Sequence, residues 1–225
     1  MFKFLTKIEY YILPSLFWLF IEQIPLVLMI CNVNISYILL SIQIIVFSVY
    51  YFYSKGLRKE YNFKVDWKKC TKYTLLFFLF AIVFSNLNDW IWNLNKVPEN
   101  QESIDSLTLN NPFVMGCFVV ALAPFVEEYV FREKLMILFS NIENYIYDKM
   151  GLKNKNFNYN IGIGSVILTS VLFSFIHDFS NFGHFMSYAT LGLGLGFIRY
   201  KSGSIKYSII THSLWNLFVF ALSLI

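Results

Sequence analysis

Residues 121–131 read ALAPFVEEYVF and are followed by Arg132, so two adjacent carboxylates interrupt an otherwise apolar run. Glu128 and Arg132 stand four apart with the acid on the N-terminal side, which puts them on one helical face in the favourable order for an ion pair. Glu127 lies about 100° around the same helix with no obvious local partner, and an unpaired carboxyl in that setting is a candidate for proton transfer. FSFIH, Phe173 to His177, places an imidazole one turn beyond an aromatic ring. HSLWN, His212 to Asn216, puts an imidazole and a carboxamide on one face. A carboxylate base, two imidazoles and an amide donor together can activate a water and stabilise an oxyanion. The same glutamate and histidines could instead bind Zn²⁺. Each group also has a structural reading: a His in an apolar helix often hydrogen-bonds its neighbour, and an intramembrane Glu–Arg pair often serves only to neutralise itself. Four polar sets in three apolar runs are hard to explain that way alone.

The elements that must position these groups are membrane helices. The chain has 225 residues, of which 57% are hydrophobic, 20% aromatic and only 14% charged, with a mean hydropathy of +0.55. A soluble domain of this length does not have that composition. Apolar runs near 9–31, 35–53, 72–93, 112–138, 163–178, 183–200 and 204–223 are long enough to be read as spans. The expectation is an all-α, polytopic transmembrane bundle of about seven to eight helices with the active site inside it. One membrane domain covers 1–225, with N-terminal transmembrane helices in 1–111 and a motif-bearing core in 112–225. Residues 142–150 are expected as a short interfacial helix, and 151–160 as irregular.

The net charge of +4 does not indicate a nucleic-acid partner, because the Lys and Arg residues lie in loops between apolar runs. The basic loop from Lys55 to Lys72 belongs in the cytoplasm by the positive-inside rule. Alternation then puts the N-terminus in the cytoplasm as well. Met1 to Lys7 and the run that follows are read as an uncleaved first span, since the run holds Glu22 and lacks a small-residue cleavage site. Cys31, Cys70 and Cys117 are scattered and imply no disulfide framework. Gly192 and Gly196 have the small-xxx-small spacing of close helix packing. Asn86, Asn88 and Asp89 are expected as caps or interfacial groups, and His184 as an interfacial side chain in a short external turn. One tension remains: at ~1.5 Å per residue, His177 stands about 22 Å along a helix starting near Gly162, closer to the outer face than His212.

EExxxR (Glu127, Glu128, Arg132), FxxxH (Phe173, His177) and HxxxN (His212, Asn216), in that order on three helices, resemble the signature motifs of the CAAX-protease and bacteriocin-processing (CPBP, or Abi) family of intramembrane proteases. The stretch from Tyr188 to Gly203 is similar to the family's looser motif between the two histidines. The resemblance covers about 112–225. It implies a metal-independent peptide hydrolase in which Glu127 is general base on a water that His177 helps to position. His212 and Asn216 would steady the oxyanion, while Glu128 and Arg132 orient the site. No cofactor is expected, zinc being disfavoured. The expected partners are membrane lipid and a peptide or lipidated-peptide substrate, in bacteriocin processing, self-immunity or peptide signalling. Abundant Ile, Asn and Lys point to a low-GC Gram-positive source and hence a bacterial cell membrane. A non-catalytic immunity or scaffold protein of the same fold is the alternative. An ion-coupled carrier fits less well, because no repeat halves or paired broken helices are visible.

Overall fold

The computed structural model of the chain describes residues 65–94, 96–110, 112–152, 157–158 and 161–224, together with 17, 41, 44, 45 and 48. The first two expected spans fall almost wholly outside these residues. What is described is mostly helical: α1 (Trp67–Trp92), α2 (Glu99–Asn110), α3 (Pro112–Lys149), α4 (Ile163–His177), α5 (Phe182–Ser202) and α6 (Ile205–Ser223). A two-residue antiparallel pair, Phe157–Asn158 with Ile161–Gly162, leads into α4.

Local chemistry sets several boundaries. Helix α1 starts ahead of the apolar run because the Asp66 carboxylate accepts the Lys69 N–H at 3.1 Å, filling an orphan donor of the first turn. Lys68, Lys69 and Lys72 therefore lie on the helix rather than in a loop. Helix α3 does not stop at residue 138. No glycine or proline interrupts 139–149, so the segment expected as a separate interfacial helix continues the same rod. It ends where Gly151 takes φ 66° and the Leu152 N–H closes on the Tyr147 carbonyl at 3.0 Å. Its 38 residues make it about 55 Å long at ~1.5 Å per residue. The loop after α1 also holds a helix, α2, whose mixed polarity hid it from a search for spans.

Helices α1 and α3 are each long and apolar enough to cross a membrane, but they do so in different surroundings. Most of α1 is exposed, whereas α3 is largely buried and every residue from Tyr129 to Lys134 is covered. The first part of α3 lies against α6 and its last part against α4. Helix α5 packs on α1, α4 and α6. Close approach there depends on missing side chains: a Cβ on Gly192 would meet the Ser170 Cα at 3.1 Å, one on Gly196 the Val166 Cγ1 at 3.0 Å, and one on Gly194 the Phe77 ring at 2.8 Å. The glycine run is thus a packing surface toward two helices. Gly162 has a similar reason, because Glu143 occupies the space of its Cβ while accepting the Ser165 N–H at 3.2 Å. A carboxylate on that first turn of α4 is favourable to the helix dipole.

The obstacle beyond Gly192 is backbone and cannot swing aside. Gly192→Val is expected to lower stability by about 1–3 kcal/mol, read as a lower thermal-unfolding midpoint in detergent.

Candidate active site

The glutamate pair stands between two wide turns of α3. Residues Phe118–Leu122 and Tyr129–Leu135 are π-helical, a rare conformation often found at functional sites. In the first turn the Ala123 N–H bonds the Phe118 carbonyl, five residues back. The Val119 carbonyl would ordinarily receive the N–H of residue 123, or of residue 124 in the wide register. The first is engaged and the second is Pro124, which has none. Asn216 of α6 supplies the missing donor, its Nδ2 lying 2.9 Å from the Val119 oxygen. A proline placed three residues before Glu127 thereby fastens the carboxamide of HSLWN to the glutamate helix.

Glu128 and Arg132 have no exposed side-chain surface, and their charged atoms meet at 3.4 Å between Oε2 and Nε. Arg132 also donates from Nη2 to the Gly192 carbonyl at 3.1 Å, and its guanidinium carbon lies 5.1 Å from the centre of the Phe173 ring. The other Glu128 oxygen accepts from His212 Nδ1 at 3.1 Å. With Nδ1 donating, a neutral His212 ring presents a bare Nε2. His177 is fixed the same way, since its Nδ1 donates to the Phe173 carbonyl at 2.7 Å and a carbonyl can only accept.

Both Nε2 atoms face one carboxylate oxygen. Glu127 Oε2 lies 3.6 Å from His177 Nε2 and 3.8 Å from His212 Nε2, beyond direct hydrogen-bond reach. It is buried and has no hydrogen-bond partner among the described residues. The three groups open on a cavity of about 500 Å³ whose walls include Phe77, Phe118, Leu195, Trp215, Val219 and Phe220. The adjacent carboxylates therefore differ in kind: Glu128 is ion-paired with an arginine and hydrogen-bonded by a histidine, and Glu127 is aimed at two imidazoles beside the cavity. All six residues singled out from the sequence are near this chamber or bonded to what lines it. No group of three or more His, Cys, Asp or Glu side chains among the described residues is arranged as a metal-ion site.

The depth tension between the two histidines has a geometric answer. Helix α4 has 15 residues, about 21 Å at ~1.5 Å per residue, which is short of the ~30 Å hydrocarbon core. It ends at His177, whose ring folds back over the last turn onto Phe173, as helical side chains lean toward the N-terminus. His212 meets the same Phe173 ring edge-on at 6.0 Å.

Other polar groups escaped the sequence reading. His184 is buried rather than interfacial: its Nε2 donates to the Lys96 carbonyl at 3.0 Å and its Nδ1 lies 3.1 Å from Asp178 Oδ2. Two acceptors thus face one ring, and both contacts are hydrogen bonds only when it carries both protons. Asp178, in the loop just past α4, also accepts the Glu99 N–H at 3.3 Å and the Ser180 N–H at 2.8 Å. These contacts tie the loop before α2, whose Lys96, Val97 and Pro98 line the cavity, to the chain just past α4. Burial pushes the Asp178 carboxyl up, but the Ser180 hydroxyl and amide, the Glu99 amide and His184 outweigh it, and the group sits below the usual carboxylate range. Asn88 is likewise no surface cap: it donates to the Gly183 carbonyl and to Ser187 at 2.8 and 2.7 Å. Glu133 and Arg199 pair at 3.5 Å, and Lys134 is buried with its ammonium 5.3 Å from the centre of the Tyr129 ring. The run Arg132, Glu133, Lys134 inside a span was a visible signal for these last groups. The six-residue separation of Asp178 and His184 across a turn was not.

Two outcomes follow. Arg132→Lys keeps the charge but loses the planar fork that serves Glu128 and Gly192 together; a loss of about 1–3 kcal/mol is expected in thermal unfolding. Because the Asp178 pKa is lowered by folding, its contribution is fully present above about pH 4 and disappears as acid protonates the folded carboxylate. The unfolding midpoint of the wild type should therefore fall more steeply below about pH 4 than that of Asp178→Asn.

Residues 109–218 match a family described as type II CAAX prenyl endopeptidase Rce1-like. No curated protein and no solved structure matches the chain.

Proposed function

Since residues 109–218 match the Rce1-like type II CAAX prenyl endopeptidase family, a family of membrane-embedded proteases, we propose that this chain hydrolyses a peptide bond within the membrane with Glu127 as the general base. The observation that carries this reading is the unpartnered Glu127 oxygen set 3.6 and 3.8 Å from two imidazole nitrogens. A water entering that space gives a proton to Glu127 and is oriented by the bare Nε2 of His177. Its oxygen attacks the scissile carbonyl, and charge develops on the carbonyl oxygen.

His212 serves that oxyanion when its ring holds both protons, with Nδ1–H on Glu128 and Nε2–H toward the substrate. Asn216 has two amide hydrogens; one is committed to Val119 and the other is left for the oxyanion. Fixed donors of this kind stabilise developing charge without reorganising. Glu127 then returns its proton to the leaving amine. Glu128 and Arg132 take no proton and hold His212 in register. The aromatic and aliphatic walls favour an apolar peptide segment or a lipidated one, drawn from the bilayer. Bacteriocin processing, self-immunity and peptide signalling in a bacterial cell membrane are the settings proposed for it, with a cytoplasmic N-terminus.

The residues that would hold a metal, were one required, are Glu127, His177 and His212, and the proposed route uses none. The test is cleavage by wild type and Glu127→Ala in detergent or liposomes, against prenylated and bacteriocin-leader peptides, with and without chelator. Cleavage by wild type that survives chelation and falls at least about 1,000-fold in Glu127→Ala is expected. Undiminished cleavage by the variant contradicts the assignment of the base, and loss on chelation contradicts the metal-free route. No cleavage by wild type across the panel would favour the immunity-scaffold alternative.

A further inference from the structure

His177 is the last residue of α4, and the chain turns extended at Asp178 (φ −161°, ψ 121°). No following turn of helix flanks its ring. One face is covered from within α4 by Phe173, with centroids 4.1 Å apart and planes 32° apart. The opposite face would open on the cavity were it not for Tyr188 of α5, whose ring lies 4.7 Å away at the same 32° tilt. The imidazole is held between two aromatic plates. Its own bond to the Phe173 carbonyl is a single neutral hydrogen bond, worth about 1 kcal/mol net, and rotation about χ2 of a histidine is broad and roughly two-fold. That bond alone leaves the ring able to turn and present the wrong nitrogen to Glu127. Among the described residues the hydroxyl of Tyr188 has only a long contact, 3.5 Å, from Asn100 Nδ2.

We propose that Tyr188 is a positioning residue for His177, acting through its ring rather than its hydroxyl, and that it keeps the Nε2 face of the imidazole turned to Glu127. The inference rests on the reading of His177 as the group that orients the attacking water. Removing the plate leaves fold and substrate chamber in place but lets the imidazole sample both orientations. Phenylalanine keeps the plate, while leucine or methionine fills space without presenting a flat face.

The experiment is nuclear magnetic resonance of ¹⁵N-histidine-labelled protein at a pH where free imidazole is neutral, about 8, with the His177 signals assigned by their loss in His177→Gln. Wild type and Tyr188→Phe should show one Nδ1-protonated ring for His177. Tyr188→Leu should show exchange between tautomers, while the buried His184 gives unchanged signals as the check on folding. Where Tyr188→Leu disturbs His184, Tyr188→Met is read in its place. A wild-type His177 signal in the leucine or methionine variant overturns the inference, as does its loss in Tyr188→Phe. In the cleavage assay kcat should fall about 100-fold in Tyr188→Leu with KM unchanged, and recover in Tyr188→Phe. Tautomer exchange without cleavage by any form would count against the hydrolase reading and leave the positioning of His177 standing.

Discussion

A guanidinium inside an apolar bundle must be answered by the protein around it, and Arg132 is answered from three helices. Its charge meets Glu128 on α3, it donates to a carbonyl of α5, and it lies over the Phe173 ring of α4. Through Glu128 it also sets His212 on α6. Losing one partner of a buried pair strands the other charge, at about 3–5 kcal/mol, so these helices hold one relative arrangement. The motif residues that look like separate chemical groups in the sequence are joined through this one ion pair.

That arrangement explains how neighbouring glutamates come to differ. A helix sends consecutive side chains about 100° apart, and here one direction leads to Arg132 while the other leads to the cavity. The wide turns on either side and the proline-freed carbonyl at Val119 complete the division, because they bring Asn216 to the same part of α3. Glu128 is held by charge and a hydrogen bond, whereas Glu127 faces the cavity.

Much of this was legible in the sequence wherever the information was local. The spacing of Glu128 and Arg132 gave their pairing, that of His212 and Asn216 their shared face, and the glycine run its close packing. The start of α4 and the bounds of α5 and α6 were read to within about two residues, inside the usual uncertainty of such readings. What was not legible depended on tertiary contact. Asp178 and His184 gain their meaning from Lys96 and Glu99, far away in the chain. Tyr188 is one tyrosine among 15 until α5 sets it against His177. Helix α3 outruns its apolar stretch, because falling hydropathy does not end a helix and nothing in 139–149 breaks one.

The central claim is that the two glutamates have separate tasks, and thermal unfolding of Glu127→Gln and Glu128→Gln in the same detergent tests it without any substrate. Glu128→Gln should lower the midpoint markedly, because Arg132 is left buried and uncompensated, while Glu127→Gln should leave the midpoint unchanged or raise it. Equal losses in both variants, or a Glu128→Gln protein as stable as the wild type, would contradict the account.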